Sequence, residues 1–185
     1  MKERKSPTPK KKEKGTTPMD AALKYLTTKA RTVREMELYL DKREYGEYEV
    51  YQVVERLKEL GYLNDEAYAC DFVRTRLATR PISRAKLKEQ LYAHKLSPDA
   101  IDAAISGISD EEEQKNAAAV AEKYMRIFCE LPQEQKRRRL LQRLCARGYG
   151  YDTVRACMAG LTADMDEEEY RAACAHAGDD AEDEL

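Results

Sequence analysis

Residues 36–54 read MELYLDKREYGEYEVYQVV, residues 87–105 read LKEQLYAHKLSPDAIDAAI, and residues 140–158 read LLQRLCARGYGYDTVRACM. Set in register on Leu40, Leu91 and Leu144, the three stretches share their apolar positions without a gap. Four residues earlier stand Met36, Leu87 and Leu140; ten later stand Val50, Ile101 and Val154; fourteen later stand Val54, Ile105 and Met158. Between the halves comes a turn residue, Gly46, Ser97 or Gly150, followed two residues on by Tyr48, Asp99 or Asp152. A basic residue or histidine recurs three after the register leucine, as Arg43, His94 and Arg147. Apolar spacings of four on either side of a turn describe a helix, a short connection and a second helix. The copies lie 51 and 53 residues apart, which marks an internal repeat.

A further helical segment precedes each pair, at about 20–30, 65–78 and 110–129, where apolar residues recur at three and four. Tyr68/Ala69, Phe72/Val73 and Arg76/Leu77 make one such stripe, interrupted by a basic residue, and Ala117/Ala118, Ala121, Tyr124/Met125 and Phe128 make another; Val50, Val53/Val54, Leu57 and Leu60 form a like stripe in the second helix of the first pair. Thr32-x-x-Glu35 and Ser109-x-x-Glu112 read as capping boxes, in which hydroxyl and carboxylate satisfy each other's backbone N–H groups. Ser97-Pro98 reads as a cap and a first helical residue, and Gly61 and Gly148 as helix ends. No strand-length alternation of β-branched and polar residues occurs. The expected fold is all-α: three tandem three-helix repeats that stack into an elongated, curved array. The segments are a basic disordered arm over 1–18, repeats over 19–63, 64–108 and 109–161, and an acidic tail over 162–185.

The 185 residues carry 33 Lys+Arg and 35 Asp+Glu, a net charge of −2, and contain no apolar run near the roughly 20 residues that span a bilayer. The opening MKERKSPTPKKKEKG has no apolar segment after its charges, unlike a secretory signal. Cys70, Cys129, Cys145, Cys157 and Cys174 are scattered and odd in number, as reduced thiols of a cytoplasmic protein are. The near-zero total is a cancellation. Residues 1–18 carry seven Lys/Arg against two Glu, and residues 162–185 carry ten Asp/Glu against Arg171 alone. Such tails serve either as interaction arms or as solvating extensions. The acidic one has the makings of a helix through Met165, Tyr170 and the alanines near 172–177, and is a candidate to fold onto basic surface as a mimic of nucleic acid.

Catalytic chemistry is thinly represented. His94 and His176 are the only histidines, and Cys174 with His176 supplies two ligands where zinc takes three or four, so no metal and no cofactor is expected. Gly148-Tyr149-Gly150 lacks the continuation of a phosphate-cradling loop and reads as a helix stop with a turn. No nucleophile stands beside an oriented base. The chain reads as a binding protein rather than an enzyme.

Two stretches of the repeat body are basic: 74–95, with Arg74, Arg76, Arg80, Arg84, Lys86, Lys88 and Lys95 opposed by Glu89, and 136–147, with Lys136, Arg137, Arg138, Arg139, Arg143 and Arg147 and no acid. Both include the middle helix of a repeat, and clustered Lys/Arg on equivalent helices is the footprint of a phosphate-backbone binder. Lys136, Arg139 and Arg143 share one helical face by their spacing. Glu111–Glu113, Asp99 and Asp102 are the acids that would otherwise answer this charge from neighbouring helices. Twelve tyrosines against two phenylalanines suggest stacking on single-stranded bases for some and amphipathic core-edge positions for most.

Three windows carry a family likeness: Gly61-Tyr62-Leu63-Asn64-Asp65-Glu66-Ala67-Tyr68-Ala69, then Ala22-Leu23-x-Tyr25-Leu26 with Arg31-Thr32-x-x-Glu35-Met36 and Leu40, then Leu144-x-x-Arg147-Gly148-Tyr149 with Val154. With the three tandem repeats and basic middle helices, the chain resembles the RecX family of bacterial recombinase regulators over about 19–161. It departs from the family at Arg80-Pro81, where a loop glycine is usual. The resemblance implies a non-enzymatic, monomeric, cytoplasmic modulator that binds RecA filaments on single-stranded DNA. Such a protein inhibits strand exchange, ATP hydrolysis and the coprotease activity, and so regulates recombination, DNA repair and the SOS response. The expected contact residues are Arg74, Arg76, Arg80, Lys86, Lys88, Arg137, Arg138, Arg139, Arg143 and Arg147. A stand-alone helical nucleic-acid binder and a protein–protein scaffold are the alternatives.

Overall fold

The computed structural model describes residues 16–159 and 165–176, so the arm up to residue 15 and the acids beyond 176 lie outside the described residues. Among the described residues there are ten helices and no strand. They are α1 (Pro18–Leu26), α2 (Val33–Asp41), α3 (Glu47–Glu59), α4 (Asp65–Thr79), α5 (Arg84–Ala93), α6 (Pro98–Ser106), α7 (Asp110–Ile127), α8 (Gln133–Ala146), α9 (Tyr151–Met158) and α10 (Glu167–His176). The first nine make three three-helix domains, as the repeat requires. Helix α1 begins and ends earlier than its apolar pattern suggests. Thr17 accepts the Asp20 N–H at 3.1 Å and Pro18 fills the first helical position, which presets φ. At the other end the Thr27 and Thr28 hydroxyls take the Lys24 and Tyr25 carbonyls.

The shared stripe is the core of each copy. Met36, Leu40, Val50 and Val54 are buried, as are Leu87, Leu91 and Ile101, and Leu140, Leu144, Val154 and Met158; Ile105 alone is half-exposed. Burying such a side chain contributes about 1.5–3 kcal/mol. Leu60, expected on the stripe of α3, is exposed because it caps the helix rather than continuing it.

Each middle helix also ends in the same way. The residue four after the register leucine has a left-handed φ in all three copies: 62° at Glu44, 64° at Lys95 and 78° at Gly148. The next residue, Tyr45, Leu96 or Tyr149, turns inward and is buried. Only the third copy places glycine where the backbone favours it. The loop at Arg80-Pro81 reaches α5 with no positive φ at either residue, so a glycine there is not demanded by the backbone.

The starts of α2 and α5 match as well. Thr32 and Ser83, 51 residues apart, are their caps and are both buried. The Thr32 hydroxyl accepts the Glu35 N–H at 3.2 Å and donates to the His94 carbonyl at 2.8 Å. The expected capping box at Thr32 is therefore half made, since the Glu35 carboxylate turns to His94 Nδ1 at 3.0 Å instead of back to the cap. Ser109 and Glu112 form the complete box. Ser83 accepts the Lys86 N–H and its own N–H donates to the Arg147 carbonyl at 3.0 Å. The first helical N–H of each helix finds a carboxylate from the next repeat: Val33 on Asp65 and Arg84 on Glu113, both at 2.9 Å. Neighbouring repeats are thus joined by satisfying orphan donors at a helix start.

Chain contacts gather into two compact units. One runs to Cys70 and includes Leu91–Ile101; the other holds Asp71–Gln90 and continues from Asp102. The first is centred on Ala21, Ala22, Met36, Leu40, Val54 and Leu57, and carries a stacked pair, Tyr25 on Tyr39 with ring centroids 3.8 Å apart. Arg31 and Arg43 lie over its two outer faces at 4.0 and 4.8 Å. The second is centred on Tyr124, Leu140, Leu144, Tyr149, Val154 and Met158. The start of the acidic stretch belongs to this core. Met165 is buried, the Tyr151 hydroxyl donates to its carbonyl, and the Tyr170 hydroxyl of α10 donates to the Tyr149 carbonyl at 2.9 Å.

Candidate nucleic-acid interface

All ten expected contact residues fall in the second unit. There the structure divides them. Along α4, Arg74 is exposed and pairs with Asp71, and Arg76 lies over the Phe72 ring at 5.3 Å. Along α5, Lys86 pairs with Glu89 at 2.8 Å and Lys88 with Asp102 of α6 at 2.6 Å. Arg84, beside them in sequence, is bound by Glu113 and Asp110 of α7, and these bonds raise its pKa. Glu113 and Asp102 are among the acids that the sequence suggests as partners, and they do answer this part of the charge.

The run 136–139 is not one surface, because consecutive residues on a helix point 100° apart. Arg137 and Arg138 face α10. Arg137 is bound to Glu169 and lies 3.8 Å from Glu134, and both arginines line a cleft of about 260 Å³ floored by Leu141, Ala172 and Ala173. Lys136, Arg139 and Arg143 point the other way, toward α7. Lys136 donates to the Cys129 carbonyl at 3.3 Å. The Arg139 guanidinium lies 5.9 Å from the Phe128 ring centre and that of Arg143 lies 5.7 Å from Tyr124, where Lys123 also approaches at 5.6 Å. Aromatic rings thus brace Arg139, Arg143 and Lys123, while Lys136 rests on a backbone carbonyl.

Arg147 is the exception among the ten. It is 4% exposed, so its guanidinium works from inside the domain and not as a surface contact. It donates to the Tyr124 hydroxyl at 3.0 Å and lies 5.0 Å from that ring's centre. Burial, with repulsion from Arg80 and Arg143, lowers its pKa to about 10, and it stays charged at neutral pH. Arg80 and Arg143 are thus both close enough to Arg147 for their charges to act on it. The sequence marks Arg80, Arg139 and Arg143 but not Lys123, whose role depends on the packing of α7 against α8. Nor does it mark Ser83 and Asp65, or show that Glu113 takes the Arg84 backbone N–H; these contacts join residues 29 to 64 positions apart.

The fold defines an all-α protein of three tandem three-helix domains with a cationic face on the last. The family models described as the RecX first, second and third three-helix domains match residues 19–57, 64–105 and 110–158. The Regulatory protein RecX of Streptomyces coelicolor is 31% identical over 144 residues, covering 74% of this chain and 77% of that protein. That of Bacillus subtilis is 28% identical over 147 residues, 80% of this chain but 56% of its own length, so the chain spans little more than half of that relative. The crystal structure of RecX from Lactobacillus salivarius superposes with a TM-score of 0.67 at 24% identity, over 78% of this chain and 94% of that one, which supports the fold. The chain belongs to the RecX family, whose members in Streptomyces coelicolor and Bacillus subtilis are regulatory proteins.

Proposed function

We propose that the chain is a cytoplasmic, non-enzymatic regulator that binds RecA filaments on single-stranded DNA and inhibits their recombinase and coprotease activities. The family likeness is what favours RecA as the partner. The observation that carries the reading is the row Lys136, Arg139 and Arg143 on α8, with Arg139 against Phe128, Arg143 against Tyr124, Lys136 on the Cys129 carbonyl and Lys123 beside them. Guanidiniums braced on rings are preorganised for bidentate contact with phosphate or carboxylate groups. Arg80 adds its charge close to Arg147. Arg74, Arg76 and Arg138 serve as outer contacts in this reading, Lys86, Lys88 and Arg137 exchange an internal carboxylate for the partner, and Arg147 positions Tyr124 and its neighbours. Binding a filament through phosphates releases counterions and is weakened by salt.

The test is the single-strand-dependent ATPase of the host RecA, titrated with this protein beside oligonucleotide binding without RecA. Inhibition at stoichiometric amounts is expected. An unaffected ATPase with sequence-preferring duplex binding would make the protein a stand-alone nucleic-acid binder. An unaffected ATPase with no salt-dependent oligonucleotide binding would make it a protein scaffold.

A further inference from the structure

Eight of the twelve tyrosines have duties inside the fold: Tyr25 and Tyr39 stack, Tyr68 meets His94, Tyr149 is buried, and Tyr45, Tyr124, Tyr151 and Tyr170 hold hydrogen bonds. Tyr48, Tyr51 and Tyr62 do not share them. They are 71%, 63% and 59% exposed, and lie on α3 and the turn that follows it. Tyr48 and Tyr51 are one turn apart on the face of α3 opposite the buried Val50, Val53, Val54 and Leu57. Their neighbours at helical spacing are Glu47, Gln52, Glu55 and Lys58; Glu55 and Lys58 pair with each other, so Glu47 is the charge left beside the two rings. The basic residues of α3 are turned to intrahelical pairs, Arg56 with Glu59 at 2.9 Å and Lys58 with Glu55 at 2.8 Å.

That combination decides the kind of partner. Tyrosines that stack on single-stranded bases work within a positive groove that tracks the backbone. Here the flanking charge is negative and would repel phosphates. Rings edged with a carboxylate suit lysine and arginine, which lie over aromatic faces and pair with the acid. We propose that the outer face of α3 docks a protein surface presenting lysine or arginine, through Tyr48 and Tyr51 with Glu47 as the charged edge. Resting on the filament reading above, that surface belongs to the recombinase itself. The α3 face then grips protein, while the arginine row of α8 meets nucleic acid or acidic groups.

The experiment uses the full chain and two variants, Tyr48→Ser/Tyr51→Ser and Glu47→Lys, with thermal melting to show that each folds. Affinity is measured for RecA filaments on a single-stranded oligonucleotide and for the naked oligonucleotide. The double variant should bind filaments about tenfold more weakly, as loss of aromatic anchors implies, and bind the naked strand within about twofold of the parent. Glu47→Lys should weaken filament binding and leave or strengthen naked-strand binding. Unchanged filament affinity in both folded variants overturns the proposal, and an equal loss on the naked strand assigns the face to nucleic acid instead. A parent protein that binds no filament removes the filament reading and this inference together.

Discussion

The Ser83 backbone N–H donates to the Arg147 carbonyl at 3.0 Å, and Gly148 lies so close behind it that a Cβ there would come within 2.7 Å of the Ser83 hydroxyl. The cap of one repeat's middle helix is thereby seated in the C-terminal turn of the next repeat's middle helix. The Thr32 hydroxyl on the His94 carbonyl is the same joint one repeat earlier. Position and partner recur, while the donor changes from side chain to backbone.

Gly148→Ala should therefore be costly. Its φ of 78° is strained for alanine, and the new methyl would also meet Lys86 Cβ at 3.1 Å. Left-handed backbone costs about 1–2 kcal/mol and overpacking a similar amount, so a loss near 3 kcal/mol is expected in urea unfolding. Gly107→Ala, with nothing within 4 Å and no positive φ, is the control and should stay within about 0.5 kcal/mol.

The opposite exchange should help in the other copies. Glu44 and Lys95 hold φ near 62° and 64° without being glycine. Glu44→Gly and Lys95→Gly should each raise stability by about 0.5–1 kcal/mol, the strain relieved less the added freedom of the unfolded chain. Chemical denaturation of the two variants checks this.

Asp65 gives a pH signature. Its carboxylate accepts the Val33 N–H, yet burial, the larger effect, raises its pKa. The folded state then holds the proton more tightly than the unfolded chain does, so this group's contribution is fully present in acid and is lost as pH rises through the folded pKa. Asp65→Asn keeps the acceptor without the charge. Its stability relative to the parent should climb between about pH 3 and pH 7, whereas Asp65→Ala forfeits the cap and should lose about 1 kcal/mol relative to Asn. Melting curves across that pH range decide it.

Much of this fold is legible in the sequence because apolar positions repeat. The stripe from Met36 to Val54 and its two copies are buried almost to a residue, with Ile105 half-exposed. The joints are not legible, since Thr32 with His94 and Ser83 with Arg147 are ordinary polar residues whose meaning comes from what arrives beside them. Glu44 and Lys95 hide the recurring left-handed turn because neither is glycine. The candidate interface is half legible. Charge density marks α8, but residues 136–139 wrap around the helix, so that Arg137 meets Glu169 while Arg139 meets Phe128. The acidic stretch, which reads as a tail, contributes Met165 and Tyr170 to a core, and α10 packs against the Arg137 side and not the Arg139 side.

That division predicts unequal effects within one basic run. Arg139→Glu/Arg143→Glu should lower the salt dependence of single-strand binding by about 0.7 in log–log slope for each phosphate that is no longer neutralised. Arg138→Glu, on the α10 side, should change the slope less. Equal slopes across these variants would mean that α8 does not present one face to the partner.

The most direct measurement is RecA ATPase inhibition by the parent protein, by Arg139→Glu/Arg143→Glu, and by Arg74→Glu/Arg138→Glu, in one titration on single-stranded DNA. The account predicts inhibition by the parent at stoichiometric amounts, a loss of about tenfold or more in potency for the first variant, and a smaller loss for the second. Inhibition curves that coincide for the parent and Arg139→Glu/Arg143→Glu, with both proteins folded, would contradict it.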